Sequence, residues 1–215
     1  MTRVVRHRGR WMTQNAVPGV RVYGERLVRQ RGKEYRAWSP RRSKLAAYLA
    51  NRGKAFRPNG AEHWLYLGAA SGTTVSHVSD ALPDGRVVAV EFSPRPYGDL
   101  LELAARRRNV LPVLSDASEP DAYAMLLEGP VDVVYQDIAQ RDQDRLFLLN
   151  AKRFLKRDGT AFLAVKARSM DVAAAPRDIF KRVAQRLRDD GLAVDELVDL
   201  GPWQADHAML VARWA

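Results

Sequence analysis

His63-Trp64-Leu65-Tyr66-Leu67-Gly68-Ala69-Ala70-Ser71-Gly72-Thr73-Thr74 is the stretch on which the fold turns. An apolar, aromatic run of this length, closed by turn residues, reads as a buried strand. A helical pattern over Thr74–Leu82 follows directly. Gly68 and Gly72 let the backbone come close to a ligand, and the start of the helix behind them offers unpaired N–H groups. The dinucleotide spacing G-x-G-x-x-G is absent. Taken alone, then, the turn reads as a tight strand-to-helix connection with glycine there for steric reasons.

The same rhythm repeats outward from it. Apolar, β-branched runs recur at Arg86–Val90, Val110–Leu114, Val131–Tyr135 and Ala161–Val165, with helix-like stretches at Gly98–Arg107 and Arg145–Leu155. Strand–helix alternation of this kind predicts an α/β domain with a largely parallel, Rossmann-like sheet. A last pair, Ala193–Leu200 and His207–Trp214, has no helix between its members and predicts an antiparallel hairpin closing one edge. Toward the N-terminus, Val20–Trp38 alternates roughly, with Gly24 and Gly32 as breakers, and predicts short antiparallel strands. Ser39-Pro40 then predicts an N-cap with proline at the first helical position, ahead of the stripe Leu45, Tyr48 and Leu49. The expected organisation is a small, basic, β-rich domain over 1–39 and a main domain over 40–215.

The chain has 215 residues, 47% of them hydrophobic, which suffices for a sizeable core. It has no cysteine, which excludes disulfides, Cys-ligated zinc, iron–sulfur clusters and a thiolate nucleophile. No apolar run approaches the ~20 residues of a bilayer span. The basic start has no apolar stretch behind it, so no secretory signal is expected and the protein reads as cytoplasmic. Residues 1–60 hold 16 Lys+Arg against Glu25 and Glu34, a balance of +14, whereas the remainder is slightly acidic. Such a block attracts polyanions, although a solvated face reads equally well. Arg41 and Arg42 lie within it and are candidate RNA contacts.

Ligands of open α/β sheets bind beyond the carboxyl ends of the strands. Four such ends carry suggestive groups: the glycine turn with Gly68, Glu91 at Val88–Phe92, Asp116 at Leu114–Ala117, and Asp137 at Tyr135–Ile138. An acid about 20 residues beyond the glycine turn can accept ribose hydroxyls. Three carboxylates at one edge disfavour a pyrophosphate and suit a cationic adenosine cofactor. S-adenosylmethionine, a sulfonium, fits that description. Lys166 ends the apolar run Phe162–Val165, and an ammonium there needs a carboxylate; Asp137 on the expected neighbouring strand is the candidate. Lys44 on its own reads as surface charge, and His207 equally as an edge histidine. The remaining histidines, His7, His63 and His77, make no metal-like spacing with any acid pair, so no metal is expected.

Five blocks together closely resemble the fibrillarin family: Val22–Glu25, Tyr35–Ala46, Tyr66–Asp80, Val90–Arg95 and Lys166–Asp171. Within it the likeness is to the archaeal branch, without a glycine–arginine-rich tail, and it covers about residues 17–215. The resemblance implies an S-adenosylmethionine-dependent ribose 2′-O-methyltransferase acting on rRNA and tRNA. It implies the catalytic subunit of a box C/D ribonucleoprotein, beside guide RNA, a Nop-family scaffold and a kink-turn-binding protein of the ribosomal L7 type. By the same resemblance, Gly68, Ala69, Thr73, Thr74, Glu91, Phe92, Asp116, Ala117, Asp137, Ile138, Ala139 and Gln140 fall at cofactor positions. Lys44, Asp137, Lys166 and His207 fall at catalytic ones. Gln136, Arg141 and the stretch Gly201–Ala205 depart from the family pattern.

Those residues frame a proton-transfer problem. Lys166 would meet the substrate hydroxyl, as base if neutral and as alkoxide stabiliser if charged, with Lys44 and Asp137 pulling its pKa in opposite directions. His207 would orient the ribose or relay the proton. Two rivals are a non-catalytic RNA-binding subunit and a nicotinamide dehydrogenase. The retained polar quartet speaks against the first. The second lacks G-x-G-x-x-G, and none of the seven tyrosines has a lysine four residues on.

Overall fold

A computed structural model describes residues 3–215. Four strands, β1 (Val4–His7), β2 (Arg10–Gln14), β3 (Leu27–Gln30) and β4 (Lys33–Ala37), form an antiparallel sheet in the order β1-β2-β4-β3. Helix α1 (Lys44–Ala50) leads from it to a seven-stranded sheet. In chain order the rest comprises β5 (His63–Leu67), α2 (Thr73–Ala81), β6 (Arg86–Glu91), α3 (Pro94–Ala105), β7 (Val110–Leu114), β8 (Val131–Gln136) and α4 (Gln143–Phe154). There follow β9 (Leu155–Lys166), α5 (Ala167–Met170), α6 (Pro176–Asp189), β10 (Leu192–Asp199) and β11 (His207–Trp214).

The large sheet has the order β10-β11-β9-β8-β5-β6-β7. Strands β5 to β9 run parallel, whereas β11 pairs antiparallel with both β9 and β10, giving the expected closing hairpin. Strand order reverses between β5 and β8, which places the ligand crevice at their carboxyl ends. Alternation along β5 explains the layers. Leu65 and Leu67 face a core with Phe147, Ile179 and Phe180, while Trp64 and Tyr66 face Tyr48, Val75 and Leu100 on the other side. A strand buried on both faces needs a helix layer over each.

The two sheets are joined through buried charge. Arg36 on β4 donates from Nε to Glu25 at 2.5 Å and from Nη1 to Asp80 of α2 at 2.8 Å, and Arg107 reaches the other Asp80 oxygen at 2.6 Å. Thr13 donates to Asp80 at 2.8 Å, and the two nitrogens of His77 lie 2.7 Å from the Thr13 hydroxyl and 2.8 Å from that of Tyr23. Trp38 stacks on the His77 ring.

Several expectations are corrected. Ser39 does not cap α1. Residues 39–42 form a turn closed by the Arg42 N–H on the Ser39 carbonyl, and Ser43 is the cap, its hydroxyl accepting the Ala46 N–H. Within Val20–Trp38 only Leu27–Gln30 and Lys33–Ala37 are strand. The segment 20–25 is instead a loop folded over the Glu25 carboxylate, which accepts the N–H groups of Val22 and Tyr23. Helix α3 starts at Pro94, four residues before Gly98, and β9 starts six residues before Ala161 across a register shift. Strands β1 and β2 and helix α6 lie where the sequence reading placed no element.

Candidate active site

The turn after β5 is built from left-handed backbone at Gly68, Ala70 and Gly72. Its N–H groups at 68 and 69 both bond to the Val90 carbonyl, stitching it to β6. A Cβ on Gly68 would lie 2.4 Å from the Asp137 carbonyl oxygen, so only glycine lets the ends of β5 and β8 approach this closely. Glu91 closes the other side. One carboxylate oxygen accepts the Ala70 N–H at 2.7 Å and the other the Ser93 N–H at 2.8 Å. Both oxygens are thereby fixed at the wall of a cavity of about 270 Å³.

Gly68, Glu91, Phe92, Asp116, Ala117, Asp137, Ile138, Ala139 and Gln140 line this cavity. Asp116 is oriented by the Ser118 N–H at 2.8 Å. Phe92 stands out from the rim, 66% exposed, a flat apolar surface beside the acids. Ala69, Thr73 and Thr74 lie around the corner, in a contiguous cavity of about 340 Å³ that shares Gly68 and Asp137 with the first. Lys44, Arg41 and Arg42 line that second space. Thr74 is buried and donates to the Ser43 hydroxyl at 2.9 Å, tying the first turn of α2 to the start of α1.

That tie explains why Lys44 is not a stray surface charge. Its Nζ pairs with both Asp137 oxygens, at 2.7 and 2.9 Å, each side chain about one-fifth exposed. Asp137 is therefore the partner of Lys44, not of Lys166 as expected. Among the described residues the Lys166 ammonium has no carboxylate within ion-pair distance. Lys166 lies opposite His207 in the β9–β11 register. The His207 Nδ1 is 2.6 Å from the Ala205 carbonyl, which assigns the proton to Nδ1 and leaves Nε2 unprotonated in the neutral ring. Burial lowers its pKa below the ordinary 6.5, and Lys44 and Lys166 add to this, against the Ala205 bond and Asp137. His207 thus feels Lys44, Asp137 and Lys166 at one sheet edge. Tyr66 beneath them is pushed far up by burial and then by Asp137, so it stays a neutral phenol.

Sequence reasoning missed the residues that hold this edge. Gln143, fully buried, accepts the Lys166 N–H at 2.9 Å and donates to the carbonyls of Lys166 and Gln140. Gln136 in turn donates to the Gln143 carbonyl at 2.6 Å, which accounts for a large amide at that position. Arg168 pairs with Asp206 at 3.3 Å, and the Ala167 N–H bonds to the Asp206 carbonyl, fixing His207 relative to Lys166. A lone glutamine or an aspartate before a histidine carries no spacing signal. Among the described residues no group of three or more acids or histidines could hold a metal ion, and no helix is long and apolar enough to cross a membrane.

A family model described as Fibrillarin matches residues 1–215, including the first sixteen, which the resemblance had left unaligned. The chain belongs to the fibrillarin family. One family member, the fibrillarin-like rRNA/tRNA 2′-O-methyltransferase of Methanothermobacter thermautotrophicus, is 48% identical over 203 residues, covering 94% of this chain and 90% of that protein. The crystal structure of Aeropyrum pernix fibrillarin in complex with natively bound S-adenosyl-L-methionine is 44% identical, with TM-score 0.86, covering 99% of this chain and 100% of that one. A fibrillarin in complex with Nop5p is 39% identical, with TM-score 0.91, covering 100% and 99%. The fold these structures share with this chain is the pair of sheets described above.

Proposed function

We propose that this chain is an S-adenosylmethionine-dependent ribose 2′-O-methyltransferase of rRNA and tRNA, the catalytic subunit of a guide-RNA box C/D particle in the archaeal cytoplasm. The observation that carries the reading is an acid-lined cavity whose Asp137 is gripped by Lys44, with His207, paired in register with Lys166, within electrostatic reach of both. The cavity suits a cationic adenosine cofactor. Three carboxylates face it, and Glu91 is already immobilised by two N–H donors. The cradle at Gly68 would be closed by any Cβ. Glu91 would take the ribose hydroxyls, Phe92 and Ala117 the adenine, and Asp137 with the turn at Thr73 the methionine end.

When bound, the cofactor supplies a methyl group already activated by its sulfonium. The protein has to hold an acceptor oxygen in line and take one proton. Fixing that geometry is worth about 7–11 kcal/mol of barrier, and a positioned base adds roughly 10²–10⁴-fold. Lys166, whose ammonium is not consumed by a carboxylate, holds the substrate hydroxyl and stabilises charge developing on it. Neutral His207, with Nε2 unprotonated, accepts the proton. Lys44 anchors Asp137, so that this carboxylate keeps one orientation between the two cavities.

Guide RNA, a Nop-family scaffold and a kink-turn-binding L7-type protein complete the proposed particle; the family member crystallised with Nop5p supports the scaffold. The test is methyl transfer from labelled S-adenosylmethionine to a guide-matched RNA, with and without those partners. Incorporation at one ribose, only in the assembled particle, is expected. A chain that neither binds the cofactor nor labels RNA would refute the reading.

A further inference from the structure

Beside the reacting edge lies a groove of about 580 Å³ between the N-terminal sheet and the loop that precedes β11. Its walls are Trp11 of β2, the segment Ser39–Arg42 and Trp203. Two features set it apart from an ordinary crevice. Four arginines, Arg10, Arg26, Arg41 and Arg42, line it and are exposed, while its one carboxylate, Glu25, is buried and committed to Arg36. Its flat surfaces are aromatic, with the Arg41 guanidinium 5.7 Å from the Trp203 ring centre and that of Arg42 5.9 Å from Tyr23.

The groove is also connected to the chemistry. Arg41 and Arg42 line both it and the cavity that holds Lys44 and Asp137. Two of its walls are the segments that run into Lys44 and His207, and the Gln204 side chain bolts them together by donating to the Pro40 carbonyl at 2.9 Å. An occupant needs a flat apolar part for the indole and anionic parts for the arginines. Unpaired nucleotides carry both, a base on each sugar and a phosphate between.

We propose that this groove is a subsite for unpaired RNA, a base lying against Trp203 and its phosphates on Arg41 and Arg42, through which the substrate strand leaves the reacting ribose. The subsite rests on the methyltransferase reading for the direction of the strand, but not for its chemistry. Base stacking on an aromatic ring contributes about 1–3 kcal/mol per base, a loss of roughly fivefold or more in affinity when the ring is removed.

The test uses the full chain and a dye-labelled single-stranded RNA of about ten nucleotides, read by fluorescence anisotropy across a salt series. Trp203→Ala should weaken binding at least about fivefold with the salt slope unchanged, and Trp203→Phe should restore most of it. Arg41→Gln, at an exposed position, should instead lower the slope by about 0.7. Trp203 lines neither cofactor cavity, so S-adenosylmethionine affinity should stay within about twofold in the Trp203 variants, which also verifies their folding. Parent-like RNA affinity in Trp203→Ala, or a parent that does not bind the RNA at low salt, would overturn the subsite. So would loss of scaffold-protein binding with RNA binding intact, which would give the groove to a protein partner. A parent that fails to bind S-adenosylmethionine would sink the methyltransferase reading separately.

Discussion

Asp137 faces two ways: its carboxylate borders the acid-lined cavity and grips Lys44. Lys166 has neither duty, which separates the two residues experimentally. Lys166→Ala should leave S-adenosylmethionine affinity within a few-fold and lower methyl transfer in the assembled particle by at least ~10². Asp137→Ala should damage both quantities, and turnover near the parent in Lys166→Ala would refute the assignment. As the proposed proton acceptor, His207 should set the acid side of the pH profile. Its pKa lies below 6.5, so the neutral, proton-accepting ring persists at pH 6.5 and is lost only as pH falls further. The acid limb of kcat should fall below pH 6.5 and vanish in His207→Gln, whose residual rate should be flat there. At this scale the sequence, through its family resemblance, named four candidates but not their pairings. Strand order puts Lys166 beside Asp137, yet the Ser43–Thr74 tie brings Lys44 in first, and nothing in the spacing of 44 and 137 announces it.

Elements explain why the edge is so tightly drawn. Gly68 sits where β5 must turn with φ +77° under the Asp137 carbonyl. Gly68→Ala adds about 1–2 kcal/mol for left-handed backbone, and its Cβ would force the β8 end outward. Calorimetric titration should show weakened S-adenosylmethionine binding together with a lowered melting temperature; an unchanged affinity would mean that the β8 loop yields without disturbing the cavity. The strands around this turn were legible because each carries an apolar run and is closed by turn residues. The entry to α1 was misread for a physical reason. Ser39-Pro40 suits a β-turn as well as a helix start, and Ser43, with its hydroxyl shared between Ala46 and Thr74, is the cap that tertiary contact rewards. Strands β1 and β2 escaped notice because they are short and do not alternate cleanly: β1 puts two valines side by side and β2 buries Met12 and Thr13 in succession. Helix α6 carries a readable stripe, Ile179, Val183 and Leu187, that a rhythm of β-branched runs does not flag.

For the whole molecule, the basic N-terminal sheet is locked to the methyltransferase sheet by charges that have no access to water. Asp80 neutralises Arg36 from β4 and Arg107 from beyond α3, while Thr13 of β2 adds a third donor. His77, stacked under Trp38, is pushed well below 6.5 by burial and then by Arg36 and Arg107. An unfolded histidine binds a proton near pH 6.5 and the folded one does not, so stability is full above that value and falls as pH drops below it, by at most about 1.4 kcal/mol per pH unit. Glu25, whose pKa ends below 4.5 because N–H groups and Arg36 outweigh burial, loses its contribution only at lower pH. Melting temperatures between pH 6.5 and 4.5 therefore report the histidines. Removing the hub is the sharper test. Asp80→Ala leaves two buried guanidinium groups facing one another, and breaking such a pairing costs about 3–5 kcal/mol, against a typical total of about 5–15. Because the same atoms hold both sheets, residues 1–39 should not come away first. Urea unfolding followed by far-ultraviolet circular dichroism and by tryptophan fluorescence should show coincident midpoints, both moved far down in Asp80→Ala. Separate midpoints would make the N-terminal sheet an independent unit; a shift under about 1 kcal/mol would mean that water reaches the arginines once the carboxylate is gone.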